Sequence, residues 1–277
     1  MSGVKRIAVS IGDPNGIGPE IALKGALHYL DAGAIQPVLT GDLHVIEHYR
    51  KLLGVSAPLV DFHTAQPGKD IAVCDVQSLQ RDEFVPGRVS AAAGVATVAY
   101  VTKCVALAQA GGVAAIVGCP QNETAVNAAG IEFSGYPPLI ADLTHTPRDD
   151  VFMMLCGGGL RIAHVTLHEA LAGAIARLTP EFVAAAGRAL FASLQRLGFD
   201  QPKIALFGIN PHASENGLFG DDDARITEPA ARILRAEGIA IDGPMGADAL
   251  LANRKHDGYV AIYHDQGHVP VKLISPD

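Results

Sequence analysis

Tryptophan is absent from these 277 residues, and aromatic residues make up only 5% of them. Stacking platforms for single-stranded nucleic acid therefore have little to build on. Positive charge is also scarce: 21 Lys and Arg stand against 29 Asp and Glu, a formal net charge of −8. That balance argues against a phosphate-neutralising surface, so no nucleic-acid partner is expected. It leaves room for a small anionic substrate held by a local cationic group. The cysteines are Cys74, Cys104, Cys119 and Cys156, far apart and without a C-x-x-C pair. Core thiols in a reduced, cytoplasmic protein are the expectation. No stretch approaches the roughly 18 apolar residues of a membrane span, so no membrane partner is expected. The weakly polar region Val89 to Gly112 is interrupted by Thr97, Tyr100, Thr102, Lys103 and Gln109, and reads as a buried helix. The first apolar run leads straight into Gly12-Asp13-Pro14 and is too short for a signal peptide.

What is present is apolar and finely punctuated. Hydrophobic residues make up 49% of the chain, with 30 Gly and 17 Pro in no fixed period. A chain this long buries roughly 75% of its unfolded surface, in one large domain or two lobes. Short β-branched runs at Arg6–Ile11, Gln36–Leu39, Ala114–Cys119, Val151–Cys156, Arg161–Leu167, Ile204–Ile209 and Tyr259–Tyr263 read as strands. Helical spacing marks Pro19–Leu30, Leu43–Leu53 and Pro180–Leu197, the last opened by Thr179 as a cap and Pro180 in the first turn. Strands alternating with helices predict an α/β fold with mainly parallel sheets.

Special polar residues gather just after strand ends, where open α/β sheets bind ligands. Gly12-Asp13-Pro14-Asn15-Gly16-Ile17-Gly18 joins a strand to a helix whose free N–H groups suit an anion. It is not the G-x-G-x-x-G dinucleotide fingerprint, and a plain tight turn explains it equally well. In Leu160–Glu169, His164, Thr166 and His168 share a face of a strand, while on a helix His164 and His168 stand one turn apart. Either geometry suits metal ligation; a core histidine is the bland alternative. Asn210-Pro211-His212 turns out of a strand toward Glu215. Tyr263-His264-Asp265-Gln266-Gly267-His268 closes another strand, with Lys272 close behind. Three strand ends thus each present a histidine, and three imidazoles bind zinc or a similar ion while leaving a position open. Asp265, Glu215 and Asn210 are candidates to orient the rings.

These segments, in this order, resemble the 4-hydroxythreonine-4-phosphate dehydrogenase family. GDP-x-GIGPE is Gly12–Glu20, NPHA-x-E is Asn210–Glu215, G-P-x-x-A-D is Gly243–Asp248, and HDQG is His264–Gly267. The match runs from Ile11 to Lys272. It implies two α/β/α lobes, like those of isopropylmalate dehydrogenase, with the active site in the cleft between them. The first lobe would span residues 1–130 and regain the chain after about 258; the second would span 131–257 and form the dimer interface. The resemblance further implies a homodimer sharing a divalent metal on His168, His212 and His264. Zinc is foremost among the metals, with magnesium, manganese or cobalt as alternatives, and NAD or NADP takes the hydride. Lys272 falls on the family's substrate-binding lysine. Asp248 and Asp265 are further catalytic candidates, and Gly12, Asp13, Gly16 and Gly18 are candidates for cofactor binding. Family members run on with a Gly-rich stretch resembling an adenine-binding loop, so this sequence is expected to be the ordered part of a longer protein.

The departures bear on substrate. The vitamin B6 enzymes carry T-G-H-T where this chain has Ser134-Gly135-Tyr136-Pro137, and a Lys where it has Glu123. Tyr136 and Pro137 stand where that His and Thr touch the phosphorylated substrate and cannot repeat their contacts; Ser134 and Tyr136 are candidates for substrate binding. The set Cys119-Pro120, Glu123-Thr124, Phe133–Pro137, His164–Glu169 and His256-Asp257 looks closer to the terephthalate dihydrodiol dehydrogenases. That branch implies oxidative decarboxylation of a cis-dihydrodiol dicarboxylate. The alternatives are a dehydrogenase of 4-phosphohydroxy-L-threonine or a related phosphorylated sugar acid, and a non-catalytic metal- or ligand-binding relative.

Overall fold

The computed structural model of this chain describes residues 4–32 and 35–276. They divide into two compact units, one running to His145 and the other starting at Thr146. In the first unit lie β1 (Lys5–Ser10), α1 (Gly18–Ala32), β2 (Ile35–Gly41), α2 (Leu43–Leu52), β3 (Leu59–Asp61) and β4 (Ile71–Asp75). They are followed by α3 (Ala91–Gln109), β5 (Ala115–Gly118), α4 (Glu123–Ala128) and α5 (Tyr136–Thr144). All five strands are parallel, in the order β3-β4-β2-β1-β5. Alternation along the strands feeds both faces: Leu39 and Val73 enter one apolar cluster, Val38 and Ala72 another. Helix α3 is long and apolar enough to cross a membrane. Its Ala93, Ala96, Tyr100, Val101 and Cys104 are buried, as the reading of a core helix predicts.

The second unit contains β6 (Met153–Gly157), β7 (Leu160–His164), α6 (Leu171–Ala176), α7 (Pro180–Arg196), β8 (Ile204–Phe207) and α8 (Glu228–Ala236). It continues with β9 (Ile241–Met245), α9 (Ala247–Asn253), β10 (Gly258–Ala261) and α10 (His264–Ile274). The order is β6-β7-β10-β8-β9, parallel except for the edge strand β6. Ile204, Leu206, Val260 and Ile262 pack with α7 and α8. Ala205, Phe207, Tyr259 and Ala261 pack on the other face with Leu250 of α9 and Val271 of α10. Each sheet is therefore a mainly parallel one with helices on both faces, the α/β class that the alternating pattern predicts. Thr179 caps α7 as its sequence implies, accepting from Phe182 N at 3.1 Å.

Two boundaries differ from expectation. Helix α5 belongs with the first unit, where it packs on α3 and its Tyr136 hydroxyl donates to the Cys119 carbonyl. The first unit therefore extends to His145 rather than 130. Residues 258–261 do not return to the first unit. They form the middle strand of the second sheet, between β7 and β8, and all four are buried. A strand covered on both faces must be apolar throughout, and Gly-Tyr-Val-Ala meets that requirement.

Candidate active site

Strand order explains which residues meet. In the second sheet β7, β10 and β8 are parallel neighbours, so their C-terminal ends emerge side by side, about 4.8 Å apart per strand. His168 follows β7, His264 follows β10 and His212 follows β8. The sequence distances of 44 and 52 residues between these histidines hide this adjacency.

His168 and His264 are brought together, with ring centroids 5.3 Å apart. They line a cavity of about 300 Å³ with Thr166, Leu167, Glu169, Tyr263 and Asp265 among others. The loop carrying His168 is pinned at both ends. Thr166 Oγ1 donates to the Ile262 carbonyl at 2.9 Å, and Arg177 donates to both Glu169 oxygens at 3.1 Å. Asp265 accepts at 2.6 Å from Nδ1 of His264. Gln266 ties the ends of β10 and β8: its Oε1 accepts from Ile262 N at 2.7 Å, and its Nε2 donates to the Gly208 carbonyl at 2.8 Å. Strand β7 stops at His164, so His168 does not share a strand face with it. His164 lies fully buried, and desolvation, followed by the neighbouring His268, pushes its pKa down to about 4.

His212 sits on an unusual backbone. Five consecutive non-glycine residues, His212 to Asn216, have φ between 41° and 65°. This left-handed turn is held by one buried carboxylate. Asp223 accepts from Ile209 N at 2.7 Å, Asn210 N at 3.1 Å, Ser214 Oγ at 2.7 Å and Thr227 Oγ1 at 2.6 Å. Asn210 turns to Ser214 and Asp222 rather than to the His212 ring. Glu215 takes the ring, accepting from His212 Nδ1 at 2.8 Å, and this bond raises the imidazole pKa. Asp248, exposed in the first turn of α9, adds to that rise. Sequence reading passed over Asp223; an acidic run, Asp221-Asp222-Asp223, reads as a solvated face.

A divalent ion needs neutral imidazole nitrogens with free lone pairs. With Asp265 and Glu215 engaging Nδ1, His264 and His212 each keep Nε2 for ligation, the arrangement carboxylate-held metal ligands use. The donor chemistry therefore fits a metal. The geometry of one chain supplies the His168–His264 pair: among the described residues no three His, Cys, Asp or Glu side chains converge as a ligand group. Lys272 is exposed in the last turn of α10, outside the lining of this cavity.

In the first unit the chain leaves β1 for β2 on one side and pairs with β5 on the other, which makes the β1–β5 boundary a topological switch point. The β1–α1 turn lies there. Gly12, at φ 72°, packs so closely that a Cβ would overlap the Pro120 carbonyl. Asp13 N donates to that carbonyl at 3.0 Å. The Asp13 side chain is buried, which raises its pKa against the opposing bond from Asn15 N. Gly16 and Gly18 complete the turn into α1. Tyr136 stacks its ring on Gly118 at the end of β5, and Ser134 beside it is exposed.

Two α/β units with histidines, carboxylates and a glycine turn at strand C-termini define a ligand-binding α/β enzyme. The match to known proteins is specific. The family model described as pyridoxal phosphate biosynthetic protein PdxA covers residues 33–277. A 1,2-dihydroxy-3,5-cyclohexadiene-1,4-dicarboxylate dehydrogenase of Comamonas sp. is 45% identical over 274 residues, 99% of this chain and 84% of that protein. The crystal structure of a terephthalate 1,2-cis-dihydrodiol dehydrogenase from Burkholderia xenovorans LB400 is 48% identical, with TM-score 0.75 over 98% of this chain and 83% of that one. A 4-hydroxythreonine-4-phosphate dehydrogenase structure from Burkholderia phymatum is 33% identical, with TM-score 0.86 over 98% of this chain and 84% of that one. The chain belongs to the PdxA family of dehydrogenases.

Proposed function

We propose that this chain is a metal-dependent dehydrogenase that uses NAD or NADP to oxidise and decarboxylate terephthalate dihydrodiol to protocatechuate. The observation that carries this reading is the step in identity, 45% and 48% to two dihydrodiol dehydrogenases against 33% to 37% for 4-hydroxythreonine-4-phosphate dehydrogenases, at nearly equal coverage. Tyr136 supports it: its ring lies on Gly118 and its hydroxyl is spent on the Cys119 carbonyl, so this position offers no cation to a phosphate. A second reading, oxidation of 4-phosphohydroxy-L-threonine, is favoured by the higher TM-score, 0.86 against 0.75. Backbone path reports fold, whereas substrate choice lies in side chains; we therefore weight identity.

In this reading His168 and His264 hold the metal, and His212 comes from a second copy of the chain in a homodimer. A bound divalent ion would stabilise negative charge on substrate oxygens, and the nicotinamide would take the hydride. The chain's own groups do the rest. Asp265 fixes the His264 ring. Lys272 binds a substrate carboxylate or moves a proton, with Asp248 and Asp265 as positioning or relay groups. Ser134 and Tyr136 shape the substrate pocket, and the turn at Gly12, Asp13, Gly16 and Gly18 is the surface on which the dinucleotide lies. In the substrate, loss of a hydride and a proton turns the secondary alcohol into a ketone β to the carboxylate. The carboxylate–carbon bond then breaks, CO₂ leaves, and its electron pair completes an aromatic ring. The dihydrodiol, incubated with metal-loaded protein and NAD⁺, should yield NADH, CO₂ and protocatechuate in equal amounts. NADH without CO₂ would remove decarboxylation from the proposal.

A further inference from the structure

Four imidazoles stand in a row in the second unit, and the metal assignment uses only two of them. From His168 the next ring is His264, at 5.3 Å; then His268, stacked on His264 at 3.7 Å with an interplanar angle of 11°; then His164, at 4.6 Å from His268. His268 Nδ1 lies 3.1 Å from both His164 Nε2 and the His264 carbonyl. His164 Nδ1 faces the Met153 carbonyl at 3.4 Å.

The hydrogen-bond roles follow from the partners. A carbonyl only accepts, so Nδ1 of His164 carries its proton. Burial keeps this ring neutral at pH 7, which leaves Nε2 bare. His268 Nδ1 therefore faces two acceptors and must be the protonated nitrogen. The chain of donors runs from His268 to His164 to Met153, and each ring has one tautomer and one orientation. The approach is built into the sequence: Gly267 lies so close to His164 that a Cβ would overlap Nε2. The glycine of the HDQG segment lets the first turn of α10 close onto His164.

We infer that His164 and His268 are positioning residues, a tautomer-locked imidazole pair on which the His264 ring is stacked and held in its orientation toward His168. This inference rests on the reading of His168 and His264 as metal ligands only in its consequence for metal affinity; the tautomer lock stands without it.

Two measurements on the full chain test it. Long-range ¹H–¹⁵N spectra of the metal-free protein should show His268 as the Nδ1–H tautomer. In His164→Leu the His268 Nδ1–H keeps only the His264 carbonyl as acceptor, so its ring ¹⁵N shifts should move and the Nδ1–H population should fall, and His164→Gln, which restores a second acceptor, should recover both. His268 found as the Nε2–H tautomer in the unsubstituted protein overturns the inference. Cobalt titration is the second readout. His268→Leu and His164→Leu should weaken Co²⁺ binding by about 10- to 100-fold, with His164→Gln recovering most of the loss and circular dichroism unchanged. Unaltered cobalt affinity in both leucine variants, where His264→Ala abolishes binding, also overturns it. If His264→Ala and His168→Ala leave cobalt affinity unchanged, the metal reading fails instead, and the nitrogen spectra decide the inference alone.

Discussion

Burial makes His164 a proton-linked stability element. Its pKa is about 4 in the folded chain against an ordinary value of 6.5, so between those limits the unfolded chain binds the extra proton. Stability from this residue is complete above pH 6.5 and is lost as pH falls toward 4, by an amount on the order of 3 kcal/mol. Urea unfolding midpoints should therefore drop between pH 7 and pH 4.5, and His164→Leu should flatten that part of the profile. An unchanged slope in the leucine variant would mean that other groups set the acid limit. The sequence showed His164 beside His168 but not its partner, because His268 lies 104 residues away. Tyr136 was visible as a departure from the family pattern; its bond to the Cys119 carbonyl was not. Tyr136→Phe should cost about 1 kcal/mol in unfolding free energy, and no measurable cost would show that the hydroxyl does not hold α5 to β5.

The elements divide by how local their causes are. Strands β1, β2, β5, β7, β8 and β10 and helices α1, α2 and α7 were legible within a few residues, since each carries its own periodicity or cap. Strands β3 and β9 were not: Leu59–Asp61 is three residues long, and Ile241–Met245 contains Gly243 and Pro244, which argue against a strand. The left-handed turn from His212 to Asn216 has local bonds, Asn210 to Ser214 and His212 to Glu215, but no glycine within it to favour that backbone. Left-handed backbone costs on the order of 1–2 kcal/mol per residue. It is held from outside by the buried Asp223 carboxylate, which accepts from Ile209 N and Asn210 N at the entry to the turn and from Ser214 Oγ within it, each bond worth about 1.5–3 kcal/mol. Asp223→Asn should therefore destabilise the protein by at least about 2 kcal/mol and lower metal affinity through His212. A variant with the same denaturation midpoint and metal content as the unsubstituted chain would show that the turn holds itself.

At the scale of the whole molecule, the alternation of strands and helices was enough for the fold class, but not for the two sheet orders. Which histidines meet depends on β10 inserting between β7 and β8, with Tyr259 opposite Ile162, 97 residues away in sequence, a pairing that no spacing rule reports. Among the described residues the three histidines do not close into one ligand group within a single chain, which is why we assign the third ligand to a second copy. Activity should then fall with dimer concentration on dilution, and His212→Ala should lose metal and turnover while staying folded. A fully active monomer would contradict the shared site. The substrate assignment is tested most directly by NADH formation from metal-loaded protein with the dihydrodiol dicarboxylate and 4-phosphohydroxy-L-threonine assayed in parallel. The account predicts turnover of the dihydrodiol alone; turnover of the phosphorylated threonine alone would contradict it and show that Tyr136 and Pro137 do not mark a changed pocket.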